Sequence, residues 1–217
     1  MNIHRLYAPF LSHFRRGRLR TLYETLSLDE STRVLDIGGS RGFWMMARAQ
    51  GLPVPRVTVI NLRSDIRAAA QPRLEWVLGD AKHLPFPDLA FEIAISNSVI
   101  EHLGDWKSQQ RFASEVRRVA RRYFVQTPDL CFPIEPHFIT PFMHWFPPAC
   151  RRKLLRNFSI WGLVTRPTQP ECAALVDEIR LLSASQLRTL FPECGIVKER
   201  FAGLSKSLIA VKGAACE

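Results

Sequence analysis

Two stretches of this chain carry residue types that could do chemistry. The first runs Val34-Leu35-Asp36-Ile37-Gly38-Gly39-Ser40-Arg41-Gly42, an apolar strand that ends in an acid and enters a glycine-rich turn. Glycine reaches positive φ and has no side chain, so such a turn lets backbone approach a ligand closely. Asp36, Gly38, Gly39, Ser40 and Gly42 are therefore candidate binding positions. The spacing is not G-x-G-x-x-G, and the chain has no G-x-x-x-x-G-K-[ST] phosphate loop, so NAD and ATP are not the expected ligands. The second stretch is Phe132-Pro133-Ile134-Glu135-Pro136-His137-Phe138. An imidazole beside a carboxylate can take a proton, and flanking prolines restrict the backbone that carries them. His137 is the candidate that orients an acceptor or takes its proton, with Glu135 holding the ring. A loop pair that only bonds to itself is the alternative. His102 is a further catalytic candidate.

These residues act together only if the fold brings them to one place. Apolar runs at Arg33–Ile37, Arg56–Ile60, Leu74–Leu78, Glu92–Ser96, Tyr123–Gln126, Ile196–Phe201 and Leu208–Val211 read as strands. Helical segments are expected at Gly42–Ala49, Ser64–Ala70, Lys107–Ala120 and Ala184–Phe191, and an N-terminal helix at residues 8–26. Alternating strands and helices imply βαβ units and a mostly parallel sheet. The last two strands are too close together for a crossover and should form an antiparallel hairpin. The expected fold is a doubly wound α/β sheet of seven strands in a single domain, residues 1–217. Residues 127–182 break the rhythm, holding eight of the fifteen prolines and many aromatics, and read as an insertion after strand five.

In a doubly wound sheet, ligands sit beyond the carboxyl ends of the strands. Strand two exits at Asn61-Leu62, where nucleotide-binding folds place a residue on the ribose hydroxyls. Strand three exits at Gly79-Asp80-Ala81, followed by Leu84-Pro85-Phe86-Pro87-Asp88 and Phe91-Glu92. Strand four exits at Asn97-Ser98-Val99-Ile100-Glu101-His102-Leu103.

Taken in order, these motifs resemble the class I S-adenosylmethionine-dependent methyltransferases. The turn resembles their motif I, D-x-G-x-G-x-G, with Ser40 in place of the middle glycine. The G-D-A and L-P-F-P-D pair and the strand-four segment resemble those of the small-molecule, quinone and sterol type. The resemblance covers roughly residues 30–127 and the terminal hairpin. It implies S-adenosyl-L-methionine as cofactor, with Asp36, Gly38, Gly39, Ser40, Gly42, Asn61, Leu62, Asp80, Ala81, Asn97 and Ser98 around it. Asp80 would accept from the adenine amino group and the Ala81 N–H would meet a ring nitrogen. Asn97 and Ser98 would flank the methionine part, and Glu101 or His102 could face the acceptor. Asn61 departs from the usual acid. The implied reaction is methylation of a small or lipid-linked acceptor at oxygen or carbon. Methylation of RNA or protein is the alternative, although no N/D-P-P-Y tetrad follows strand four. A non-catalytic cofactor-binding protein is the third reading.

Composition narrows the partners. With 47% hydrophobic and 23% charged residues, the chain can bury a full core. A net charge of +10 points to something anionic, whether nucleic acid, an acidic membrane surface or a phosphorylated substrate. A helix begun by Pro148, with Cys150, Leu154, Leu155, Phe158 and Trp161 on one face and Arg151, Arg152, Lys153 and Arg156 between, could lie on such a membrane. No apolar run approaches the ~20 residues of a membrane span, and no signal-peptide core follows the N-terminus. The expected location is cytoplasmic, with peripheral contact at the membrane. Cys131, Cys150, Cys172, Cys194 and Cys216 are widely spaced, so neither a disulfide framework nor a zinc site is expected, and the site is read as metal-free.

Overall fold

The computed structural model describes residues 8–62 and 72–213, with side chains from Phe14 onward. The helix expected at Ser64–Ala70 lies outside the described residues. Five parallel strands, β1 (Arg33–Ile37), β2 (Arg56–Asn61), β3 (Leu74–Leu78), β4 (Phe91–Asn97) and β5 (Ala120–Pro128), form most of one sheet. Two short strands, β6 (Ile134–Glu135) and β7 (Thr140–Pro141), pair separately. The hairpin β8 (Gly195–Phe201) and β9 (Leu204–Lys212) completes the main sheet, β9 running antiparallel to β5. The order is β3-β2-β1-β4-β5-β9-β8.

Strand side chains alternate between two covered faces, which is why these strands read as continuous apolar runs. Leu35, Ile37, Tyr123 and Val125 join one core with Phe112 and Val116 of α3 (Trp106–Val119) and Leu187 of α7 (Ala184–Leu190). Val34 and Phe124 join the other, with α1 (Ala8–Leu26) and α2 (Arg41–Ala49). On α1, Leu19, Leu22 and Leu26 recur at helical spacing and are fully buried. Each such burial contributes about 1.5–3 kcal/mol. Asp105 starts α3 by accepting from the Ser108 N–H at 2.7 Å.

The segment after β5 carries its own small core: Phe138, Met143, Leu155, Cys172 and Val176. Around it lie α4 (Pro148–Phe158), α5 (Ile160–Thr165) and α6 (Gln169–Glu178). Proline does begin α4, but the expected apolar stripe does not continue along one helix. Ser159 caps a new helix, its hydroxyl accepting from the Gly162 N–H at 2.8 Å. A Cβ on Gly162 would meet the Leu155 carbonyl at 2.2 Å, so glycine is what lets α5 close onto α4. Leu154, Leu155 and Trp161 therefore pack on the insertion's own core, while Phe158 stays exposed.

Gln109 of α3 ties this insertion to the sheet. It is fully buried. Its amide donates to the carbonyls of Ile100 (3.0 Å) and Arg180 (2.9 Å) and accepts from the Arg180 guanidinium at 2.9 Å. Gln109→Leu leaves one buried and one partly buried carbonyl without these donors, at about 1–3 kcal/mol each. Urea unfolding should show a loss of about 2–4 kcal/mol, whereas exposed Gln110→Ala should stay within about 0.5 kcal/mol. Equal stabilities for the two variants would show that this tie is not what fixes the insertion.

Candidate active site

Because β1 to β5 run in parallel, their carboxyl ends emerge along one edge. Backbone bonds continue from strand to strand there. The Gly38 N–H donates to Ile60 O at 2.8 Å, Gly79 to Asn61 O at 3.1 Å, and Ser98 to Gln126 O at 3.1 Å.

The glycine turn is built around Asp36. The acid is almost fully buried, and one oxygen accepts from the Trp44 indole N–H at 2.8 Å. A Cβ on Gly39 would fall 2.0 Å from that carboxylate, and one on Gly38, at φ 70°, would fall 2.4 Å from Val99. These two glycines leave room for the protein's own side chains. At Gly42 the nearest heavy atom is Ser40 Oγ at 3.9 Å, so that side of the turn is open. Burial pushes the Asp36 carboxyl up to about 7, against the pull of the Trp44 bond. Its second oxygen has no protein partner.

The other strand exits are polar and partly accessible. Asn61 donates to Gly39 O at 3.3 Å, and Leu62 is exposed. Asp80 and Ala81 are half-buried at the β3 exit, with Asp80 accepting from the Lys82 N–H at 2.9 Å. Asn97 accepts from Arg18 of α1 at 3.4 Å, and Arg18 is also paired with Glu199 at 2.8 Å. Ser98 holds a left-handed φ of 54° and donates to Gln126 Oε1 at 3.0 Å.

At the β4 and β5 exits the structure gathers Glu135, His137 and His102, together with Glu101. The Glu135 carboxylate is buried, takes the backbone N–H groups of His137 (2.8 Å) and Phe138 (2.7 Å), and contacts His137 Nδ1. Burial alone would lower His137, but Glu135, with Glu101 and Glu178, outweighs it and holds the imidazole above its ordinary value. His137 Nε2 lies 3.0 Å from His102 Nε2, and His102 Nδ1 lies 2.7 Å from Glu178. Glu101 is fully buried and bonded to the Thr127 hydroxyl at 3.0 Å. Burial raises it, opposed by the two histidines. Beside the same exits is a cavity of about 260 Å³, lined largely by apolar side chains including Phe14, Phe132, Ile134 and Ile139. Arg15, Arg18 and Lys206 also reach it. Burial, then Arg18, holds Lys206 down at about 8.

Residues 28–123 match the family model described as a methyltransferase domain. Over these residues the chain is similar to class I S-adenosylmethionine-dependent methyltransferase domains. A protein of Mycolicibacterium smegmatis named "Probable S-adenosylmethionine-dependent methyltransferase" is 32% identical over 105 residues, 44% of this chain. The match spans 38% of that relative's length. The fold is similar to the YcgJ protein of Bacillus subtilis (18% identity, TM-score 0.55, covering 85% of this chain and 71% of the other). It is also similar to phosphoethanolamine N-methyltransferase 2 of Haemonchus contortus, solved with S-adenosyl-L-methionine (14%, TM-score 0.55, 84% and 37%).

The polar strand exits suit an adenosyl ligand. The turn is open at Gly42, and Asn61 and Asp80 present an amide and a carboxylate beside it. Sequence reasoning missed Glu178, which reaches His102 from α6, and Arg18, which reaches Asn97 from α1. Neither has a local signal, because each partner lies more than 70 residues away.

Asp36 makes stability depend on pH. Between about 3.9, its unfolded value, and about 7, the folded chain keeps a proton that the unfolded chain has released. Stability from this group therefore falls as pH rises through that window. Asp36→Asn cannot ionise. From pH 5 to pH 8, the wild type should lose about 2–3 kcal/mol relative to the variant in urea unfolding. Parallel pH profiles would show that the carboxyl titrates normally.

Proposed function

We propose that this chain transfers a methyl group from S-adenosylmethionine to a small or lipid-linked acceptor. The observation that carries the reading is the adjacency, on one sheet edge, of the polar exits of β1 to β3 and the largely apolar cavity at the β4 and β5 exits. When bound, the cofactor supplies a methyl group already activated on a sulfonium. Residues of the chain then bind, orient and exclude water. Asn61 and Asp80 would hold the adenosyl part, with Ser40 and Gly42 at the turn and Asn97 and Ser98 toward the acceptor. His137, with its ring fixed by Glu135, would orient the acceptor or take its proton, and orientation alone can contribute much of the acceleration.

A lipid-linked acceptor is favoured by the outer surface of the insertion. Phe142, Trp145, Phe146, Phe158, Ile160 and Leu163 are all about half exposed or more. The Ile160 N–H donates to Thr140 Oγ1 at 3.1 Å, which places the start of α5 beside the turn that carries Phe142. With the basic residues of α4, this surface suits peripheral contact with an anionic membrane. No helix among the described residues is long and apolar enough to cross one. The largely apolar cavity favours such an acceptor over RNA, which the net charge of +10 alone would suggest.

Calorimetry should show binding of S-adenosylmethionine or S-adenosylhomocysteine, weakened about 10–100-fold by Asp80→Ala, the scale of a charge-assisted hydrogen bond. Release of S-adenosylhomocysteine in the presence of the acceptor should fall about 10²-fold or more in His137→Ala, with cofactor affinity nearly unchanged. Absence of cofactor binding removes the proposed activity. Full turnover in His137→Ala leaves the transfer to proximity.

The membrane reading has its own measurement. The protein should co-sediment with phosphatidylserine-containing vesicles more than with neutral ones, and Phe142→Ser with Trp145→Ser should reduce this several-fold. Unchanged sedimentation would restrict the acceptor to soluble molecules.

A further inference from the structure

Glu101, His102 and His137 come from two distant segments, yet one ligand-type atom of each lies within 4.8 Å of the others. The two imidazoles face each other through Nε2, 3.0 Å apart. Each turns its other nitrogen to a carboxylate, His102 Nδ1 to Glu178 and His137 Nδ1 to Glu135. An ionised carboxylate only accepts, so both Nδ1 atoms carry the hydrogen. Both Nε2 atoms then direct lone pairs at one another, an arrangement that requires a positive species between them. Carboxylate–histidine pairing of this kind is how proteins orient an imidazole toward a metal ion.

Glu101 provides the independent observation. Its side chain is fully buried and points to this cluster, and its Oε1 has no hydrogen-bond partner. A proton shared by the histidines would quiet the two nitrogens and leave that oxygen bare. One ion would satisfy all three groups. For metal–nitrogen bonds of about 2.1 Å, a 3.0 Å separation gives an angle of about 90°. That is narrower than tetrahedral and fits a two-histidine, one-carboxylate face with open positions.

We propose that Glu101, His102 and His137 bind one divalent first-row metal ion at the carboxyl edge of β4 and β5, leaving positions for an oxygen of the acceptor. Three atoms on one ion at about 2.1 Å lie within about 4.2 Å of one another, so the site closes by a small side-chain movement. Glu135 and Glu178 act as positioning residues through the imidazoles. Only the acceptor oxygen rests on the proposed methyl transfer; metal binding does not require it.

The test uses the full chain, stripped with a chelator and titrated with Zn²⁺, Mn²⁺ and Co²⁺ by calorimetry, with Co²⁺ absorption reporting the coordination. One equivalent of at least one ion should bind. His102→Ala and His137→Ala should each weaken it more than 10-fold, and Glu135→Gln about 10–100-fold. His83→Ala and His144→Ala should leave it unchanged. Glu101→Gln should likewise weaken it more than 10-fold; His102 is one-third exposed, so its alanine variant, checked by circular dichroism, serves if Glu101→Gln does not fold. Failure of all three ions to bind, or binding that survives both His102→Ala and His137→Ala, overturns the proposal. S-adenosylmethionine titrated into the same stripped protein separates the two readings. Cofactor binding without metal binding removes only the metal site, and metal binding without cofactor removes only the methyl transfer.

Discussion

The parallel pairing of β1 to β5 is the constraint on which everything else depends. Parallel strands need crossovers, so each strand ends at the same edge and each chain reversal there is a loop. That edge is where Gly38, Asn61, Asp80, Ser98 and Thr127 all emerge. The antiparallel return of β9 beside β5 brings Ser207 and Lys206 to the same edge, where they help line the cavity. The candidate site residues are neighbours because the strands that carry them share a direction.

Among the acids buried at this edge, two stand apart, Asp36 under the glycine turn and Glu101 at the β4 exit. Each leaves one carboxylate oxygen without a partner, and burial raises both. Such arrangements are costly unless the surroundings over-determine them. Asp36 is fixed by Trp44 and by the absence of a side chain on Gly39. Glu101 is fixed by Thr127 and by its backbone carbonyl, which accepts from the Arg180 N–H at 2.8 Å. The first acid shapes the turn; the second belongs to a cluster that needs a positive charge.

The insertion after β5 links these two levels. It has a core of its own, yet it is anchored to the sheet through Gln109 and Arg180, and its α6 supplies Glu178 to His102. The insertion is therefore not an appendage. It completes the hydrogen bonding of a residue that belongs to the sheet edge.

From the sequence alone came the order of the seven strands of the main sheet and of α1, α2, α3 and α7, the parallel sheet with its terminal hairpin, the glycine turn and the polar exits at Asn61 and Asp80. These are local signals: apolar runs, period and turn residues over a few positions. The break of the α4 stripe at Ser159 was legible in principle, since serine favours a helix N-cap over a helix interior. Tertiary structure alone decided that Gly38 and Gly39 make room for Val99 and Asp36, and that Glu101, His102, His137 and Glu178 meet. Residues 35 to 77 positions apart approach only when the sheet edge and the insertion have packed. A sequence pattern records which side chains are present and how each segment is wound, whereas the distance between segments is set by the burial of both sheet faces.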